Sequence, residues 1–235
     1  MNKKNLLYEG KAKQIYTCDD QEKLIVYFKD DATAFNGEKK GEIKNKGILN
    51  NKISNIFFDL LEDKGVKTHL LEIISENEVL VKKLEIIPLE VVVRNIVAGS
   101  LVKRLGIDEG TELEKTVLEF YYKDDDLGDP MINEYHIYAK DLASEEEIKI
   151  IIDLSFKINK ILKEYLIKKN INLVDLKLEF GKDSKGKIYL GDEISPDNCR
   201  FWDSKSGKKL DKDRFRKNLG EVENAYQEIY NRLRS

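Results

Sequence analysis

Val174-Asp175-Leu176-Lys177-Leu178-Glu179-Phe180-Gly181 alternates apolar and charged residues without a break. Successive side chains of a β-strand point to opposite faces. Leu176, Leu178 and Phe180 therefore share one face, and Asp175, Lys177 and Glu179 share the other. The apolar face reads as core. The charged face carries two carboxylates around a lysine in an otherwise apolar, half-buried segment. A salt-bridged surface strand would look similar, but the apolar context favours a chemical use. Mg²⁺ takes one or two carboxylates and fills its other positions with substrate phosphate oxygens. Asp192, in the returning segment Leu190-Gly191-Asp192-Glu193, is the natural second ligand beside Glu179. A one-residue slip in the hairpin register decides which face Asp192 occupies.

Outward from this hairpin, the pattern predicts a long helix over 145–169. Ser144 and Glu147 make a capping box at its start. Ile148, Ile151, Ile152, Ile158, Leu162 and Tyr165 trace one face. Two further helices are expected near 211–219 and 221–233. The first third reads as short strands at 5–9, 12–17 and 24–30. A polar loop over 30–42, a helix over 46–64 and strands at 68–74 and 79–84 follow. Apolar runs over 89–98 and 117–123 continue the strand pattern. The expected fold class is α+β with two lobes. Residues 1–85 would form a small antiparallel-sheet lobe with a helix, and residues 86–235 a larger α+β lobe. A kinase-like or ATP-grasp-like cleft would lie between them, a usual place for a ligand.

Composition narrows the function. The chain has 235 residues, 41% hydrophobic and 36% charged, with a net charge of -3. So balanced a charge argues against a dedicated nucleic-acid binder. No apolar run reaches the roughly 20 residues of a membrane span, and the N-terminus lacks a signal-peptide pattern. Cys18 and Cys199 are too few and too far apart for a disulfide framework or a zinc site, which fits a reduced cytoplasmic setting. With only two histidines, His69 and His136, proton and phosphate chemistry falls to Lys, Arg, Asp and Glu.

Other segments carry candidate chemistry. In Tyr8-Glu9-Gly10-Lys11-Ala12-Lys13, a glycine turn admits backbone N–H groups to a phosphate, and the two lysines share a strand face. An exposed basic hairpin would look the same. Arg94 lies inside the apolar run Val91-Val92-Val93-Arg94-Asn95-Ile96 and needs an anion. Phosphate, gripped in bidentate fashion, is one partner; an internal carboxylate, with Glu90 in reach, is the other. Gly99-Ser100 opens a short helical stretch able to add N–H groups and a hydroxyl. Asp197 and Arg200 follow Asp192 in Ser195-Pro196-Asp197-Asn198-Cys199-Arg200, which also reads as an ordinary turn. Lys123 ends a Tyr-rich strand.

Taken together, LYEGKAKQIY, IIPLEVVVRNIVAGS, DPMINE, LVDLKLEFG, GDEISPDNCRFWD and DKDRFR occur in the order found in the phosphoribosylaminoimidazole-succinocarboxamide synthase (SAICAR synthetase) family. The resemblance spans essentially the whole chain. It implies ATP-dependent joining of L-aspartate to the carboxylate of carboxyaminoimidazole ribonucleotide through an acyl phosphate. It implies Gly10, Lys11, Ala12 and Lys13 on the nucleotide phosphates, with Lys82 and Leu84 beside adenine. It implies Glu179 and Asp192 as Mg²⁺ ligands, and Arg94, Ser100 and Arg200 around the ribonucleotide phosphate. Lys177, Lys123, Asp175 and Asp197 fall at further active-site positions. Asn36 stands where other members carry Asp. The family's habit also implies a homodimer. A kinase-like phosphotransferase shares the lysines and acids and is the rival reading; a nucleotide- or RNA-binding module is disfavoured by charge.

Overall fold

A computed structural model describes residues 2–34 and 38–235. Asn36 and its loop tip lie outside the described residues. Strands β1 (Leu6–Glu9), β2 (Lys13–Thr17) and β3 (Lys23–Phe28) form a meander. Strands β4 (Asp31–Ala34) and β5 (Lys39–Glu42) pair as a separate hairpin where the pattern suggested a polar loop. Strand β5 (Lys-Lys-Gly-Glu) has no alternation of apolar and polar residues, and β4 alternates over only four residues with nothing larger than alanine on its apolar side, so backbone pairing defines the hairpin.

Helix α1 (Lys46–Asp63) starts without a side-chain cap of its own. Asp30 substitutes: its carboxylate accepts from Asn45 N at 3.1 Å and Gly47 N at 2.8 Å, satisfying donors a helix start leaves open. A Cβ on Gly47 would lie 2.4 Å from the Phe28 carbonyl oxygen, so the helix passes this close to β3 only with glycine there. Strands β6 (Leu70–Ile73) and β7 (Glu78–Lys82) complete an antiparallel sheet of order β1-β2-β3-β7-β6.

The second lobe contains β8 (Glu85–Ile96), α2 (Ser100–Leu105), β9 (Glu112–Tyr122), β10 (Met131–Ile132), α3 (Glu134–Ala139) and α4 (Glu145–Ile167). Strands β11 (Ile171–Lys182), β12 (Ile188–Leu190) and β13 (Cys199–Asp203), then α5 (Asp213–Arg216) and α6 (Val222–Arg234), complete it. Its sheet has the order β10-β9-β8-β11-β12, with β13 on the first half of β11. The Ser144–Glu147 capping box forms as expected. Ile148, Ile151, Ile158, Leu162 and Leu166 of α4 are fully buried, each stabilising by roughly 1.5–3 kcal/mol. Helix α1 sends Ile53, Phe57, Phe58 and Leu61 into this same core. The early helix thereby anchors the first lobe to the second. Elements α3 and β13 are not foreseen from pattern: α3 buries only Ile137, and β13 is short and buried on both faces.

Candidate active site

The antiparallel register of β8, β11 and β13 assembles the centre. Asp175 of β11 sits opposite Arg94 of β8 and Arg200 of β13, and Glu179 sits opposite Glu90. Four residues along a strand span roughly 13 Å, so two charge clusters form one after the other along β11, with Lys177 between their centres.

The first cluster surrounds Glu179. Lys177 Nζ donates to Glu90 at 2.7 Å and to Glu179 at 2.6 Å, and lies 4.0 Å from Asp192. Lys123 donates to the other Glu179 oxygen. Lys13, from the first lobe, donates to both Asp192 and Glu193. Glu179 and Glu193 are buried. Burial opposes ionisation of Asp192, but Lys13 and then Lys177 outweigh it and hold that carboxyl well below the usual range. Burial and the Asp192 charge together push Glu193 up to about 7. Lys13 feels the same balance reversed: burial disfavours its charge, and Asp192 and Glu193 hold it above the ordinary lysine range. Among the described residues no preformed group of three metal-ligating side chains exists. Glu179 and Asp192 do converge on one lysine ammonium, which suits an ion held by two carboxylates and completed by substrate oxygens.

The second cluster surrounds Arg94. Its guanidinium donates to Glu119 at 2.7 Å, Asp175 at 3.0 Å, and the hydroxyls of Ser100 and Tyr121 at 3.3 Å each. Arg200 donates to the same Asp175 oxygen at 2.6 Å and to Asp213 at 3.0 Å. Arg104 pairs with Glu119 and Arg216 with Asp213. In these ion pairs four guanidiniums meet three carboxylates, an excess of one positive charge; the neighbouring buried Asp211 carboxyl is pushed up to about 7 by burial and by Asp213 and offsets it only in part. Glu90, the partner in reach from sequence, instead faces Lys177. Gly99 has φ 58° and ψ -131°, a backbone region essentially reserved for glycine. A Cβ there would lie 2.5 Å from Arg200 Nη2.

The remaining sequence candidates flank these clusters. Gly10 N donates to Lys13 O at 2.8 Å and closes the turn, and Lys11 pairs with Asp125 across the cleft at 2.9 Å. Ala12 O accepts from Lys29 N. Leu84 packs on Gly181 and Gly191; a Cβ on Gly181 would lie 2.9 Å from both Leu84 Cβ and Glu85 O. Lys82 lies over the Tyr189 ring at 5.4 Å. The Asp197 carboxylate is buried against Lys46 Nζ and the Tyr226 hydroxyl, both at 2.7 Å, rather than against Arg200. Sequence reasoning named Glu90 only as a partner for Arg94, and it singled out none of Glu119, Asp213 and Lys46. Glu119, inside Leu118-Glu119-Phe120, carried the same signal as Arg94; Asp213 and Lys46 stood inside the family-like stretches DKDRFR and KGILNNKIS with no role attached to them. A surface hollow lined by Asn95, Glu112, Lys163 and Ile167 shares only the strands of this site, not its residues.

A sequence model of the SAICAR synthetase family matches residues 6–233. The chain belongs to that family. A phosphoribosylaminoimidazole-succinocarboxamide synthase from Clostridium botulinum (strain Alaska E43 / Type E3) is 59% identical over 233 residues, 99% of each chain. One from Thermoanaerobacter sp. (strain X514) is 60% identical with the same coverage. Among solved structures, a SAICAR synthetase in complex with ADP superposes with a TM-score of 0.94 at 57% identity, over 96% of each chain. The synthase from Ehrlichia chaffeensis gives 0.96 at 48% identity, over 98% of each. The two-lobed α+β architecture is thus that of SAICAR synthetases.

Proposed function

We propose that the paired clusters on β8 and β11 are where this SAICAR synthetase family member performs the family reaction. The chain is an ATP-dependent amide-forming ligase of purine biosynthesis. It joins L-aspartate to the carboxylate of carboxyaminoimidazole ribonucleotide, giving SAICAR, ADP and phosphate. The observation that carries the site reading is the adjacency of an acidic pair ringed by lysines and an arginine cluster with one excess positive charge.

The chemistry follows from the charges. A carboxylate is a poor acylating agent until one oxygen becomes a leaving group. The γ-phosphoryl of ATP therefore passes to the substrate carboxylate, and the aspartate amine then displaces phosphate from the acyl carbon. In this reading the Gly10–Lys13 turn and Lys13 hold the nucleotide phosphates, with Leu84 and Lys82 beside adenine. Arg94, Arg200 and Ser100 hold the ribonucleotide phosphate, and Asp175 acts as a positioning residue that aims both guanidiniums. Lys177 and Lys123 balance negative charge at the substrate carboxylate and the transferring phosphoryl group. Asp197 shapes the substrate side through Lys46. Glu179 and Asp192 would hold Mg²⁺, which neutralises phosphate charge when bound. Lobe 1–85 contributes the nucleotide-binding turn, and lobe 86–235 the metal and ribonucleotide sites. Exposed Leu127, Met131 and Tyr135 support a homodimer, which sedimentation would test. Two free, buried cysteines support a reducing, cytoplasmic setting.

ADP release measured with and without L-aspartate tests the reading. Ligation requires that release depend on aspartate and on the ribonucleotide together. Equal release with a hydroxyl acceptor and no aspartate would establish the kinase-like alternative instead.

A further inference from the structure

The proposed assignments leave one substrate without a cation. The nucleotide phosphates have Lys13, Lys123 and Lys177, and the ribonucleotide phosphate has Arg94 and Arg200. L-Aspartate carries two carboxylates and has no assigned partner.

Lys212 is suited to that role. Its side chain is 12% exposed, and its nearest carboxylate oxygen, Asp197 Oδ2, is 3.8 Å away. That oxygen already accepts from the buried Lys46 ammonium at 2.7 Å, and the other Asp197 oxygen accepts from Tyr226. Among the described residues the Lys212 ammonium has no hydrogen-bond acceptor. Two lysines against one carboxylate leave a net positive charge in a nearly closed space, an arrangement that is costly without an anion to complete it. Burial, with Lys46 and Arg216 nearby, lowers the Lys212 ammonium below the usual lysine range against the opposing pull of Asp197 and Glu193.

The placement also fits. Lys212 N donates to Pro196 O at 3.0 Å, which pins it to the segment that follows Asp192 and Glu193. The next residue, Asp213, is the 3.0 Å partner of Arg200. Lys212 is thereby tied to both clusters: Glu193 of the acidic pair and Arg216 of the arginine cluster are among the charges that act on its ammonium.

We propose that Lys212 binds a carboxylate of L-aspartate and makes the enzyme selective for an acidic amino-acid acceptor. This rests on the ligase reading above.

Steady-state kinetics of Lys212→Met and Lys212→Arg test it. Losing a hydrogen-bonded charge should raise the KM for L-aspartate by about tenfold to a hundredfold in Lys212→Met. The KM values for ATP and the ribonucleotide should stay within roughly twofold, and kcat should recover at saturating aspartate, as expected for lost ground-state binding. Lys212→Arg should give an intermediate aspartate KM and serves alone if Lys212→Met does not fold. An unchanged aspartate KM in either folded variant, or an equal rise for all three substrates, overturns the proposal. Failure of the unaltered enzyme to consume aspartate would instead overturn the ligase reading.

Discussion

Asp175→Asn probes the arginine cluster directly. Asp175 is 4% exposed, and one of its oxygens accepts from both Arg94 at 3.0 Å and Arg200 at 2.6 Å. Asparagine keeps the shape and one acceptor oxygen but removes the charge. The cluster then holds four guanidiniums against Glu119 and Asp213, an excess of two positive charges instead of one. Deleting one partner of a buried ion pair costs about 3–5 kcal/mol. The retained acceptor puts the expected loss near the lower bound, about 3 kcal/mol. A domain of this size loses roughly 2–4 °C of Tm per kcal/mol, so a fall of about 6–12 °C is expected. Inorganic phosphate should restore more Tm to the variant than to the parent, because it supplies the missing anion. Kinetically, misaimed arginines should raise the ribonucleotide KM more than they lower kcat. A Tm change below about 2 °C with unchanged ribonucleotide KM would refute the argument. A collapse of kcat at normal KM would assign Asp175 to proton transfer instead of positioning.

Three other outcomes follow from the same geometry. Glu179→Gln and Asp192→Asn should each nearly abolish turnover while leaving the circular dichroism spectrum intact; near-normal activity in both, across a magnesium titration, would remove them from the metal site. Gly99→Ala should destabilise by about 1–3 kcal/mol from backbone strain alone. It should also weaken ribonucleotide binding, because the new methyl displaces the Arg200 guanidinium; urea unfolding and substrate KM must move together. The half-buried His69 ring is lowered to about 4 from 6.5, first by burial and then by the Lys13 charge. The unfolded chain therefore binds a proton there that the fold does not. Its contribution to stability is complete above about pH 6.5 and is lost as pH falls toward 4, by at most roughly 3 kcal/mol. Glu193 and Asp211, both raised to about 7, act in the opposite sense. The measurement is accordingly the difference between the parent and His69→Gln in urea at pH 7 and pH 4.5. A difference that does not change with pH would refute it.

The Asp175–Glu179 alternation put three charges on one strand face, and the structure places them there. Their partners were not legible in the same way. Arg94 announced itself as a charge in an apolar strand, but the antiparallel register puts it against Asp175, 81 residues away, and sends the nearer Glu90 to Lys177. A strand pattern reports which face a side chain occupies and carries no information on which rung of a neighbouring strand it meets. Lys46 and Asp197, 151 residues apart, lie beyond any local pattern. Asp192 shows the limit most sharply. Alternation along the returning strand left its face undecided, yet β12 ends at Leu190, so Asp192 is not subject to alternation at all. Gly191 N donates to the Glu179 carbonyl at 2.9 Å, and glycine admits Ile86 and Leu84 closely at this point. A backbone bond and a missing side chain thus bring the second carboxylate beside the first, through groups that hydrophobic periodicity does not register.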